Sequence, residues 1–92
     1  MEISRIQAAS LAASFLADQK YSRYGYTPAV DIDHIGCLGH GFVVPWNTEA
    51  FLRSRKADDG LAGNIPIFVD LTSGACRLMT DSEVEEYYSR EK

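Results

Sequence analysis

Asp31, Asp33, His34, Cys37 and His40 fall within ten residues, and no other stretch of this 92-residue chain has the look of a catalytic or metal site. Cys37 and His40 stand in a C-x-x-H spacing, which is half of a zinc motif. A structural zinc ion closes its shell with four ligands, and the sequence offers no second C-x-x-C or H-x-x-H pair. Carboxylates would have to complete the shell from a stretch broken by Gly36, Gly39 and Gly41, too irregular to place them. Cys37 with His34 or His40 also pairs a thiol nucleophile with a base. Such a site needs a third group to orient the base, oxyanion donors and a concave pocket. A chain this short promises no deep pocket, and no nucleophile signature surrounds Cys37. The stretch therefore reads as a half-exposed strand followed by a glycine-rich turn. No catalytic residue, no metal and no cofactor is expected. Cys76 sits in a strand pattern and reads as a small buried apolar residue rather than a partner for Cys37.

A second group of residues suits contact with another protein. Tyr21, Tyr24 and Tyr26, interleaved with Arg23, have the composition of a binding hot spot. Packing over the end of the preceding helix explains them equally well. Arg53, Arg55 and Lys56, followed by Asp58 and Asp59, are most simply a solvated loop. It is also the longest irregular stretch, where binding residues tend to collect. Asp31, Asp33, Asp58 and Asp59 would present carboxylates to a basic partner. The partner-binding candidates are thus Tyr21, Tyr24, Tyr26, Asp31, Asp33, Arg53, Asp58 and Asp59.

The bulk numbers agree with a protein binder. The apolar share is 46% and the charged share 24%, the composition of an ordinary globular domain, and the length suits one. Thirteen acidic against nine basic residues give a net charge of −4, which argues against a nucleic-acid partner. No run of 18 apolar residues exists to cross a membrane. Ala8 to Ala17, AASLAASFLA, has the length of a signal-peptide core but lacks a basic leader and carries two serines. Two cysteines are too few for a disulfide scaffold, so a reduced, cytoplasmic protein is expected.

The elements that must position these residues follow from spacing. Ser4 and Gln7 have capping-box spacing for a helix over about 4–20, with Ile6, Ala9, Ala12, Ala13 and Leu16 on its packed side. Val30 to Asp33 alternates apolar and acidic, as a half-buried strand does. Phe42 to Trp46 is a second strand with Phe42, Val44 and Trp46 on one face, ending at Pro45 or presenting it at an edge or bulge. A short helix over 49–56 precedes the clearest strand, Ile65 to Leu71. Thr72-Ser73-Gly74 turns that strand into a last one near 75–79. Thr80 and Glu83 repeat the capping-box spacing before a closing helix with Val84, Tyr87 and Tyr88 as its apolar stripe. These elements predict an α+β fold: an N-terminal and a C-terminal helix on one face of a small antiparallel sheet of three to four strands.

Leu61-Ala62-Gly63-Asn64-Ile65-Pro66-Ile67-Phe68-Val69-Asp70, then Thr72-Ser73-Gly74, carry a resemblance. The segment resembles the YrhB-like proteins, also classed as the immunity protein 35 family. These are small bacterial α+β proteins with an LAGN-x-P-hydrophobic-D-x-x-[ST]-G strand-turn-strand segment. Glu85-Glu86-Tyr87-Tyr88 matches the family's closing helix, while Gly41-Phe42 stands where Gly-Trp is usual and Met79-Thr80 replaces Gly-Thr. The resemblance implies a protein that binds and neutralises a cognate toxin, encoded nearby in a bacterial competition system. A chaperone-like role, linked to one stand-alone member, is the alternative it implies. The motif also has a turn chemistry of its own. Gly63 suits a positive φ or a close backbone approach, Asn64 can bond backbone groups, and Pro66 limits pairing at the strand's start.

Overall fold

Ser4 caps helix α1 (Arg5–Asp18) with the expected box. Its hydroxyl accepts the Gln7 N–H at 3.1 Å, and the Gln7 side chain accepts the Ser4 N–H at 2.7 Å. The computed structural model describes residues 2–19, 27–60 and 64–90. The packed face of α1 is rotated from the predicted one. Ala8, Ala9, Ala12 and Leu16 are buried, whereas Ile6 is 81% exposed and Ala13 lies at the surface. Methyl-sized side chains let the helix backbone approach the sheet, so the contact centres on Ala8 and Ala12, both fully buried. Ile6 lies about 120° around the helix from Ala12 and is carried out to solvent.

Strand β1 (Pro28–Val30) leads through a 3-10 turn (Ile32–His34) to β2 (Gly36–Leu38), β3 (Gly41–Val44) and β4 (Trp46–Thr48). Helix α2 (Glu49–Ser54) and a second 3-10 turn (Ala57–Asp59) precede β5 (Ile67–Asp70), β6 (Cys76–Leu78) and helix α3 (Asp81–Arg90). All strand pairings among the described residues are antiparallel. One sheet has the order β2-β3-β5-β6, and β1 pairs with β4 in a second.

Two expectations change here. The strand predicted over Val30–Asp33 stops at Val30. The Asp31 N–H makes a bond to the Pro45 carbonyl at 2.8 Å, and the chain then turns. Ile32 is therefore 61% exposed, and the inward residue is Ile35. The glycine-rich turn also proves to be a hairpin, with β2 and β3 joined across Gly39 and His40. Pro45 ends β3 as expected and sends the chain from the four-stranded sheet to the two-stranded one.

The helices lie on opposite faces of the four-stranded sheet, not on one. Phe42, Val44, Ile67 and Val69 pack against α1 together with Trp46 and Ile35. Val43 and Leu38, with Phe68 beside them, pack on the other side against Met79 and against Val84 and Tyr87 of α3. Side chains alternate along a strand, so Phe42-Val43-Val44 and Ile67-Phe68-Val69 are apolar on both faces and each face needs a cover. Uninterrupted apolar runs, rather than alternating ones, are the sequence signal for that arrangement.

The strand-turn-strand segment is held by its polar residues. Asp70 Oδ1 accepts the N–H groups of Thr72 (2.9 Å) and Ser73 (2.8 Å), and these bonds hold its carboxyl below the usual range. Gly74 follows at φ +76°, a conformation that side chains with a Cβ rarely adopt. The Asn64 amide donates to the Trp46 carbonyl at 3.0 Å, and the Trp46 indole donates to the Ile65 carbonyl at 2.8 Å. Together they tie the entry of β5 to β4. Leu61, Ala62 and Gly63 lie outside the described residues, and with them the turn role expected of Gly63.

Thr80 and Glu83 form the predicted box at the start of α3, at 2.9 and 3.2 Å. Arg77 donates to both Glu83 oxygens, at 2.7 and 2.9 Å. Arg77 first, and then the Thr80 N–H, bring the Glu83 carboxyl from 4.5 to about 2. A carboxyl depressed in the folded state contributes stability above its unfolded pKa and loses it as pH falls through the folded one. The melting temperature should therefore fall between pH 4.5 and about 2 less steeply in Glu83→Gln than in the wild type. Circular-dichroism melts at a series of pH values across that window would check it.

Candidate functional site

The clefts that bear on the candidate residues lie on the described surface. The first is an apolar groove of about 470 Å³ between α1 and β1, walled by Ile6, Ala9, Ala13, Pro28, Val30 and Ile32. The rotation of α1 places Ile6 there, and the early end of β1 places Ile32 opposite. Among the described residues they are the two most exposed of the large apolar side chains.

The second cleft, of about 330 Å³, lies on the other side of the Ile32–His34 turn. Asp31, His34, Pro45, Arg55, Tyr87 and Tyr88 line it. Asp31 accepts from both terminal nitrogens of Arg55, at 3.0 and 3.2 Å, and from His34 Nδ1 at 3.0 Å. Burial would raise the Asp31 pKa, but the bonds from Arg55 and His34 outweigh it and leave the carboxyl below its ordinary value. The bond from Asp31 in turn raises the pKa of the guanidinium. Arg55 closes α2 in the left-handed region at φ 59°, where glycine or asparagine is usual. That backbone conformation turns the arginine back to Asp31, 24 residues earlier in the chain.

The third cleft, of about 500 Å³, is lined by Thr27, Thr48, Glu49, Arg53, Asp58 and Asp59, with Ala50. Arg53 pairs with Glu49 at 3.0 Å one helical turn away. Such an exposed pair contributes little to stability. The Asp59 carboxylate accepts the Ser54 hydroxyl, and its backbone carbonyl accepts the Thr48 hydroxyl.

The sequence candidates thus divide. Arg53, Asp58 and Asp59 come together in the third cleft. Asp31 stands at the second, its carboxylate engaged by Arg55 and His34 and only 13% exposed. Asp33 is exposed on the turn between the first two clefts. Tyr21, Tyr24 and Tyr26 lie outside the described residues. His34 turns to Asp31, while Cys37 is exposed on β2 and His40 sits in the β2–β3 turn. Among the described residues no three His, Cys, Asp or Glu side chains are placed to share a metal ion. Cys76 packs against the α1 side of the core, and burial raises its thiol pKa.

Ile6, Ile32 and Arg55 were not among the sequence candidates. The first two had been assigned inward by periodicity. Arg55 left no signal in the sequence, where it falls inside the helix expected over 49–56.

Comparison with known proteins adds nothing to this geometry: no family model matches the chain, and no curated protein or solved structure matches it significantly. Among the described residues, no helix is long and apolar enough to cross a membrane.

Proposed function

We propose that this chain acts by binding another protein, and more narrowly that it is a cytoplasmic immunity protein that binds and neutralises a cognate bacterial toxin. The observation that carries the reading is the α1–β1 groove, with Ile6 81% and Ile32 61% exposed. Clustered exposed apolar side chains mark contact surfaces, whereas scattered ones are ordinary. The toxin as partner comes from the resemblance of the 61–74 segment.

The same groove favours a second reading, a chaperone-like protein of low client specificity. The two differ in stoichiometry and selectivity. An immunity protein forms a one-to-one complex of nanomolar affinity with the product of a neighbouring gene. A chaperone suppresses aggregation of unrelated clients and binds none of them that tightly. Calorimetric titration against the neighbour-encoded protein, beside an aggregation assay on an unrelated enzyme, separates them. Binding in neither assay would end both readings.

Asp58 and Asp59 line the third cleft rather than the groove, and act on the partner as rim charges. Asp58→Lys with Asp59→Lys should slow association several-fold and flatten its salt dependence while leaving the dissociation rate nearly unchanged. Stopped-flow association at two salt concentrations reads both effects.

A further inference from the structure

Ile32, one wall of the groove, follows directly on Asp31, and Asp31 is held from outside the groove. The Asp31 N–H donates to the Pro45 carbonyl at 2.8 Å, and the His34 N–H donates back to the Asp31 carbonyl at 3.2 Å. These backbone bonds set the two ends of the Ile32–His34 turn. Side chains add a clasp from α2. Both terminal nitrogens of Arg55 donate to the Asp31 carboxylate, at 3.0 and 3.2 Å. A paired contact of this kind constrains direction as well as distance. His34 Nδ1 meets the same carboxylate at 3.0 Å, and the charge of Asp33 also acts on the guanidinium. The clasp therefore engages the whole turn.

Arg55 is strained to hold this place. Among the described residues it is the only one besides glycine in the left-handed region, at φ 59° and ψ 22°. Glycine would adopt that conformation freely, whereas another residue persists there only where its surroundings hold it. The end of α2 does not call for an arginine. The Arg55 N–H closes the helix on the Phe51 carbonyl at 2.6 Å, a bond that glycine makes equally well. What a glycine could not supply is the clasp on Asp31.

We infer that Arg55 is a positioning residue for the groove: its clasp on Asp31 sets the Ile32 wall, so that the groove has its binding shape before a partner arrives. The inference rests on the reading of the groove as the contact surface and names the residue that tunes it. Arg55 is not among the groove's lining residues, so its effect on binding passes through Asp31 to Ile32. A wall set in advance spares the cost of ordering it on binding.

Arg55→Gly is the deciding variant, because glycine relaxes the backbone while removing the clasp. The full chain, isotope-labelled, is titrated with N-phenyl-1-naphthylamine, an apolar dye without charge, so that the lost guanidinium charge is not itself read. Saturable shifts of the amides of 6–13 and 28–32 are expected in the wild type. Arg55→Gly should bind the dye about fivefold or more weakly, with a melting temperature close to that of the wild type. Its Asp31 and His34 amide hydrogens should exchange about tenfold faster, with no change in β3 or β5. Asp31→Asn weakens the same clasp from its other end and should reproduce both effects. The two changes together should do no more than either alone. Arg55→Lys keeps the charge without the paired nitrogens and should fall between. Unchanged affinity and exchange in Arg55→Gly overturn the inference. So does a loss of affinity matched by a fall in melting temperature, which is what a merely structural role would give. Wild-type shifts that miss 6–13 and 28–32 remove the groove reading and the inference with it. Loss of dye binding in Ile6→Glu with Ile32→Glu, but not in Arg55→Gly, leaves that reading standing and removes the inference alone.

Discussion

Ile6→Glu combined with Ile32→Glu is expected to weaken binding to the cognate partner by roughly a hundredfold or more while leaving the fold intact. Each side chain is a large aliphatic held mostly in solvent, on opposite walls of one groove. If the partner fills that groove, both become central contacts, and truncating a central contact costs about 2 kcal/mol or more. A buried glutamate adds the cost of stripping water from a charge. Two such changes exceed about 3 kcal/mol even when they are not additive, which is the hundredfold. The free protein should scarcely notice. Neither side chain is part of the core, and surface substitutions of this kind shift stability by about 0.5 kcal/mol or less. Titration calorimetry with the partner, alongside thermal melts of the free protein, reads the two effects separately. Unchanged binding by the double variant would remove the groove from the interface and pass the role to another surface.

The same two residues show where sequence reasoning stops. Helix α1, its capping box, the 67–70 strand, the turn at Thr72–Gly74 and the Thr80–Glu83 cap were all legible, because each is local. A hydroxyl three residues from an amide, or an apolar run ending in turn residues, needs no knowledge of the rest of the chain. Ile6 and Ile32 were read as inward because periodicity gives the relative angle between side chains, not the direction that faces the core. What fixed that direction was how closely alanines let α1 approach the sheet, and that is a tertiary matter. Val30–Asp33 failed for a related reason. Its alternation fits a strand, but the backbone bond from Asp31 goes to Pro45 and then the ladder ends. The Asp31–Arg55 pair spans 24 residues and left no local trace, since neither its distance nor the left-handed end of α2 at Arg55 can be read from spacing. The placement of the two helices on opposite faces was available from Phe42-Val43-Val44 and Ile67-Phe68-Val69. Two adjacent strands that are apolar on both faces cannot leave one face to water.

That two-sided arrangement leads to the largest expected effect on stability, at Gly36. The hydrogen at Gly36 is all that separates strand β2 from the end of the Tyr87 ring. A Cβ placed there would lie 1.9 Å from the Tyr87 hydroxyl oxygen and 2.9 Å from the ring carbon that bears it. Tyr87 is buried with Leu38, Val43 and Met79, so its ring cannot move aside within the core. Gly36→Val should therefore expel it and loosen α3 from its face of the sheet. The cost is that of emptying an aromatic site, about 3 kcal/mol. For a chain whose total stability is about 5–15 kcal/mol, that is a large fraction. The proposed cause can be isolated with a second substitution. Tyr87→Ala should itself cost about 3 kcal/mol, but Gly36→Val on top of it should cost little more, because the collision has gone. Denaturant melts of the two single variants and the double variant complete the cycle. A coupling of about 2 kcal/mol or more places Tyr87 against Gly36 and α3 on the face opposite α1. Additive losses would mean that the helix docks elsewhere, and the second core would have to be redrawn without it.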